Sequence, residues 1–292
     1  MNRSEKQNVV RALAEFCTKM SSQNKAAVAL GVSSALVSRM LKGDWSLIKD
    51  QMWRKVAAGC GYSATEWNVV ETKDLQTLHY LYTDAQNNGI AMAITGKAGT
   101  GKTMAAKQYC KSNKTAFLLC CNEYWNKKMF MQELLSTMGC DWSGYTTADM
   151  INAIIKKIKS IESPLLILDE ADKLNDNVLF FFITIYNALE DQLGSLRCGL
   201  VMQATSYLEK RINRGVKLNK KGYAEIYSRI CRKFVPLNGV SRRDISMICE
   251  ANGLSDKADI ADVIEDSEGD LRRVRRKIHS LKMQKSLEEE AA

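Results

Sequence analysis

Residues 96–103 read Gly96-Lys97-Ala98-Gly99-Thr100-Gly101-Lys102-Thr103, and they leave few folds open to this chain. They fit G-x-x-x-x-G-K-[ST], a loop that joins a buried strand to a helix and cradles phosphates. The apolar run at 90–95 supplies the strand and residues 102–110 the helix. Glycines let the backbone turn so that successive N–H groups face phosphate oxygens. A helix starting near Gly101 adds its positive dipole end. The pattern assigns phosphate contact to residues 96–103 and to Met104 beside them. Lys102 reaches the β- and γ-phosphates of ATP, and Thr103 ligates Mg²⁺.

A second acidic element fits the first. Pro164 precedes four apolar residues, Leu165 to Leu168, which end in Asp169 and Glu170. A buried strand whose carboxylates emerge at its C-terminal edge would bring them beside the phosphates. Asp169 would hold Mg²⁺ through water, and Glu170 would act as general base on the attacking water. Further strands are predicted at 115–121, 199–205 and 233–237, with helices between at 126–138, 148–160, 175–192 and 223–232. Thr205 closes the fourth strand, where a polar side chain can sense the γ-phosphate. The reading is α/β, with a parallel sheet.

The flanks differ. Residues 4–59 predict four or five short helices, followed by a linker. Within them Ala27, Gly31, Val37 and Met40 stand at offsets 0, 4, 10 and 13. That is helix-turn-helix spacing: a small residue where two helices touch, a glycine in the turn, and two apolar anchors. Ser33 or Ser34 caps the second helix. Its exposed positions, Ser34, Ala35, Ser38, Arg39 and Lys42, would face a major groove. Only Arg39 is a strong base reader, so binding dominated by the DNA backbone is expected. After 237 the chain turns to short charged helices at 242–251, 258–266 and 270–285, with a frayed acidic tail at 288–290.

Charge supports a polyanionic partner. The chain carries 42 Lys and Arg against 33 Asp and Glu, a net +9. Residues 1–60 hold 10 basic and 4 acidic groups (net +6), and residues 207–233 hold 9 and 2 (net +7). The remainder therefore sums to −4. Two local basic patches point to a polyanion, most simply nucleic acid, and with the major-groove reading of the N-terminal helices the expected partner is double-stranded DNA. The stretch 207–221, with Lys210, Arg211 and Arg214, is expected to be a mobile loop that touches the phosphate backbone. Lys127 and Lys128, which open the helix after strand two, are further candidates. Nine cysteines without a C-x-x-C pair indicate neither a disulfide framework nor a zinc site, so a cytoplasmic protein is expected. No signal peptide and no membrane-spanning run is read.

Taken together, the phosphate loop, the Asp169-Glu170 strand, the late Ser228-Arg229-Ile230 and the Gly269-Asp270-Leu271-Arg272 run resemble an AAA+ ATPase over residues 68–285. The resemblance implies a P-loop AAA+ core with a C-terminal helical lid, preceded by a small all-α helix-turn-helix domain. The boundaries are then 1–60 for that domain, 61–72 for the linker, 73–236 for the core and 237–292 for the lid. It also implies that Thr205 is sensor 1. Arg229, with Arg232 and Arg214 as rivals, would act on the ATP of a neighbouring subunit, and Arg272, with Arg273 second, would be sensor 2. Adding the repressor-like N-terminal region, Val70-Glu71-Thr72 and Asp169-Glu170-Ala171-Asp172, the chain is similar to the B transposition proteins of Mu-type phages. That family implies an ATPase that forms a ring or helical filament on DNA and delivers target DNA to a DDE transposase. A helicase loader or replication initiator, and an ATP-switched helix-turn-helix regulator, are the alternatives.

Overall fold

The computed structural model describes residues 3–20, 22–62, 67–191 and 196–291. Its contacts divide the chain into two compact units, Met1–Asn68 and Val69–Ala292. Residues 63–66 of the expected linker and the end of the expected 175–192 helix lie outside the described residues.

The first unit is helical: α1 (Arg3–Lys19), α2 (Gln23–Leu30), α3 (Ser34–Lys42) and α4 (Asp50–Gly59). Gly31 ends α2 in the left-handed region at φ 61°, and Ser33 caps α3 by accepting from the Leu36 N–H at 3.2 Å. Ala27, Val37 and Met40 are buried with Trp53 and Val56 of α4. Three of the four spaced positions thus pack inward while the fourth makes the turn that sets the α2–α3 angle.

The second unit begins with α5 (Lys73–Asn88), capped by Thr72, and continues with β1 (Ala91–Thr95), α6 (Lys102–Ser112) and β2 (Ala116–Cys120). Next come α7 (Lys127–Thr137), α8 (Thr147–Lys159) and β3 (Leu165–Asp169), then a 3₁₀ turn at Ala171–Lys173. The chain goes on through α9 (Asp176–Leu179), α10 (Phe181–Leu189), β4 (Gly199–Ala204), α11 (Ser206–Lys217), α12 (Tyr223–Arg229) and β5 (Phe234–Pro236). The helices α13 (Arg242–Ala251), α14 (Lys257–Ser267) and α15 (Leu271–Ala291) complete it.

The five strands form one parallel sheet in the order β2-β3-β4-β1-β5. Strands covered on both faces read as unbroken apolar runs, which explains why β1 and β3 lacked alternation in the sequence. One face carries Met92, Ile94, Leu165, Ile167 and Val201 against α5 and α6. The other carries Ala93, Leu166, Leu168, Leu200 and Met202 in a larger cluster with α7, α8, α10, α11 and α12.

Two expected elements take a different form. The single helix expected at 175–192 is two helices, broken at Phe180. The break lets Phe181 and Phe182 enter the core, while Phe180 turns aside to pack edge-on against Tyr223 at 5.1 Å. The stretch 207–221, expected as a mobile loop, is mostly the regular helix α11. Leu208, Ile212 and Gly215 recur at i, i+4 and i+7 and are all buried. That apolar stripe folds a polar-looking segment onto the core.

Phe130 of α7 is 1% exposed and meets Trp125 and Phe181 edge-on, at 6.3 and 6.0 Å between ring centroids. Phe130→Ala should cost about 3–5 kcal/mol through lost burial and the cavity left behind. Chemical denaturation should show this as a lower midpoint at unchanged slope.

Candidate nucleotide-binding site

The phosphate loop spans the gap between β1 and α6 at the C-terminal edge of the sheet. Gly96 N–H donates to Ala204 O on β4 at 3.1 Å, and Thr100 Oγ1 donates to Lys97 O at 2.9 Å. Gly99 and Gly101 have φ of 78° and 92°, a region that side-chain-bearing residues rarely adopt. Gly101 is the N-cap of α6 and offers no side chain to the first-turn N–H groups. Those donors, with the helix dipole, suit an anion. Lys102 is buried, and its ammonium donates to Gly96 O at 2.7 Å and Lys97 O at 2.8 Å. Burial lowers its pKa, and the nearby Asp169 partly opposes this. Lys97, Ala98 and Met104 are exposed around the loop.

Thr103, on α6, and Asp169, on β3, come together across 66 residues of sequence. The Thr103 hydroxyl donates to Asp169 Oδ2 at 2.6 Å, and Asp169 is 1% exposed. A hydroxyl and a carboxylate at one point are the hard oxygen donors that Mg²⁺ takes, so these residues fit that ion. Glu170 follows in the left-handed region at φ 55°, which stores about 1–3 kcal/mol in a non-glycine residue. Its N–H donates to Asp169 Oδ1 at 3.0 Å, and its carboxylate pairs with Lys173 at 2.6 Å. The β3 end thus turns sharply, sending the two adjacent acids in different directions.

Thr205 caps α11 and donates to Asp172 Oδ2 at 2.5 Å. Asp172 therefore holds the hydroxyl at the strand end. In the helical C-terminal region, Leu271 N–H donates to Gly99 O at 2.9 Å, which docks the start of α15 on the phosphate loop. A Cβ at Gly99 would lie 2.1 Å from Asp270 Oδ1. Asp270 in turn accepts from the Arg272 N–H at 2.7 Å. The exposed Arg272 carries a positive charge that is felt at Lys102. Arg273 instead pairs with Glu268 at 3.2 Å and Asp266 at 3.7 Å, within its own helical region.

Arg229 ends α12. Its guanidinium lies over the Tyr186 ring at 4.6 Å, bonds Asn187 Oδ1 at 2.8 Å and approaches Glu190 at 3.7 Å. It is thus gathered by α10 of its own chain and by Glu190, which caps that helix. Arg232 and Arg214 are exposed.

Among the expected DNA contacts, Lys210 and Arg214 are exposed on α11, and Lys217 continues their i, i+4, i+7 stripe opposite the buried one. Arg211 is not part of that face. Its guanidinium donates to Leu174 O at 2.6 Å and pairs with Asp176, and its Nε donates to the Tyr223 hydroxyl at 3.3 Å. It staples α11 to α9 and α12 and is removed from the DNA set. Lys127 and Lys128 are exposed on the first turn of α7, which holds no acid. In the N-terminal unit Ser34 and Lys42 are exposed, Ser38 is half-buried, and Arg39 pairs with Asp44 at 3.0 Å.

Sequence reasoning missed Tyr82, Asp172, Asp270 and Gln203. Asp172 and Asp270 stood inside runs already singled out but were given no role there, and Gln203 showed as a polar residue inside the apolar strand GLVMQA.

Parallel sheet, phosphate loop, acidic strand end and docked helical region together make a P-loop α/β fold of the AAA+ kind. Residues 86–212 match the AAA domain family. Two solved structures share the fold. The ORC2 protein of Aeropyrum pernix, in ADPNP–ADP complexes, matches with a TM-score of 0.53 and 19% identity over 78% of this chain and 65% of its own. The Cdc6p protein of Pyrobaculum aerophilum matches with a TM-score of 0.50 and 20% identity over 70% of this chain and 58% of its own. The chain thus spans less than two thirds of either neighbour. No curated protein matches the sequence. Among the described residues no helix is long and apolar enough to cross a membrane.

Gly99→Ala should strain the loop and push Asp270 away. The expected cost is about 1–3 kcal/mol. Faster hydrogen exchange should appear at Leu271, whose N–H depends on Gly99 O, while the amides of α3 stay unchanged.

Proposed function

We propose that the chain is an ATPase that uses ATP and Mg²⁺ to assemble on double-stranded DNA. The observation that carries this reading is the Thr103–Asp169 pair beside the Lys102 loop. Lys102 and the α6 N-terminus would bind the triphosphate, and Thr103 and Asp169 would hold Mg²⁺. Mg²⁺, when bound, would neutralise charge building on the phosphates. Glu170, once parted from Lys173, would accept the proton of the attacking water. Arg272 would sense the γ-phosphate from the lid and Thr205 from the sheet.

Arg229 would serve the ATP of a neighbouring copy. It lies at the end of α12, held by Tyr186, Asn187 and Glu190, and a site that borrows an arginine is completed only by assembly. Nucleotide would then govern oligomerisation into a ring or helical filament. Repeated copies would line up Lys210, Arg214 and Lys127–Lys128 along a duplex. Many weak phosphate contacts add, with little sequence preference.

Two partner readings share this chemistry. The N-terminal helix-turn-helix unit and the Ser228-Arg229-Ile230 run support delivery of target DNA to a DDE transposase. The names of the structural neighbours, ORC2 and Cdc6p, favour a replication initiator or helicase loader. Pull-down with a DDE transposase against a replicative helicase separates them, since each reading requires retention of its own partner alone.

Lys102→Ala should abolish binding of ATP. Glu170→Gln should retain ATP and DNA binding while lowering turnover by about 10²–10⁴-fold; undiminished turnover would remove Glu170 from the mechanism. In filter binding to random-sequence duplex with a non-hydrolysable analogue, affinity should fall steeply with salt. Lys210→Ala with Arg214→Ala should flatten that slope by about two, whereas an unchanged slope would take α11 off the DNA.

A further inference from the structure

The carboxylate of Asp169 is held at both of its oxygens. Its Oδ2 accepts from Thr103, while its Oδ1 accepts from two donors, the Glu170 N–H at 3.0 Å and the Gln203 side-chain amide at 2.9 Å. Gln203 is the direct cross-strand partner of Asp169 in the β3–β4 ladder. Period-two alternation puts both on the sheet face that bears Ile167 and Val201, under α5 and α6. Gln203 is 0% exposed. Its other amide atom, Oε1, accepts from the Tyr82 hydroxyl of α5 at 2.5 Å. Tyr82 is also 0% exposed, and its ring packs edge-on against Tyr109 of α6 at 5.3 Å.

These contacts form one directed chain, from the Tyr82 hydroxyl through the Gln203 amide to Asp169 Oδ1. Each donor–acceptor sense is dictated by the next. An ionised carboxylate only accepts, so Gln203 must present its NH₂ to Asp169 and its oxygen to Tyr82, and Tyr82 must donate. A carboxylate rotates readily about its last torsion. Two donors on Oδ1 stop that rotation and leave Oδ2 turned to Thr103. A buried polar residue in a central strand is costly unless every group is satisfied. An apolar residue at 203 would fill the same space without that requirement.

We propose that Gln203 and Tyr82 are positioning residues which fix the rotation of the Asp169 carboxylate, so that its Oδ2 and the Thr103 hydroxyl face a common Mg²⁺. They touch neither nucleotide nor metal and act only through Asp169, as partners of metal ligands do elsewhere. The inference rests on the nucleotide–metal reading of the site.

The test measures metal binding rather than turnover. Full-length protein is titrated with Mn²⁺ in the presence of a non-hydrolysable ATP analogue, and free Mn²⁺ is counted by electron paramagnetic resonance. Affinity for a fluorescent analogue is measured separately in chelator. Gln203→Met keeps the volume and removes the amide; it should weaken Mn²⁺ binding by about 10- to 100-fold with metal-free nucleotide affinity unchanged. Tyr82→Phe removes one oxygen and should weaken it in the same direction by about fivefold, which keeps the test open if the Met variant does not fold. Unchanged Mn²⁺ affinity in a folded variant of either kind, even with a lower melting temperature, would overturn the positioning role and leave the nucleotide site standing. Wild-type protein that binds the analogue but no Mn²⁺ would overturn the metal reading and this inference with it.

Discussion

The fold turns on a buried carboxylate. Asp169 lies almost wholly out of water, yet it is surrounded by the Thr103 hydroxyl, the Glu170 N–H and the Gln203 amide, with the Lys102 charge nearby. An isolated buried charge would be expelled or neutralised, so these partners have to come together for the chain to fold as it does. Each arrives on a different element: α6, the turn after β3, and β4. The parallel register Asp169↔Gln203 and the loop from β1 into α6 are what bring them to one edge.

That edge is also where a parallel sheet presents its loops, so the chemistry and the architecture share a cause. The phosphate loop, the strained Glu170 and Thr205, the N-cap of α11, all sit where strands end and helices begin. The helical region after β5 is fastened to the same place. Leu271 N–H meets Gly99 O, and Asp74 of α5 accepts from the Asn238 and Gly239 N–H groups at 3.2 and 2.9 Å. Asp74 is itself buried, and burial raises its pKa against the effect of those two backbone donors. A change at the phosphate loop therefore has a short mechanical route to α15 and Arg272.

Elements bounded by local chemistry were legible. The phosphate loop carries its own glycines, α3 its Ser33 cap and α2 its Gly31 stop, and the strands are apolar runs of the right length. What escaped depended on partners distant in sequence. Arg211 shares its charge with Lys210 and Arg214, but its neighbour Asp176 is 35 residues away and holds it inward. The break at Phe180 has no proline or glycine to announce it; packing of Phe181 and Phe182 decides it. Gln203 stood out only as one polar letter in an apolar strand, because Tyr82, which explains it, is 121 residues distant. In α11 composition misled, since its charged residues mask a buried stripe of only three positions.

The central claim is that this edge of the sheet binds a nucleotide together with a divalent cation. Calorimetric titration of the purified chain with a non-hydrolysable ATP analogue, with and without Mg²⁺, tests it most directly. The account predicts one nucleotide per chain, bound more tightly when Mg²⁺ is present. Absence of binding at millimolar analogue, in a protein whose circular dichroism shows it folded, would contradict it.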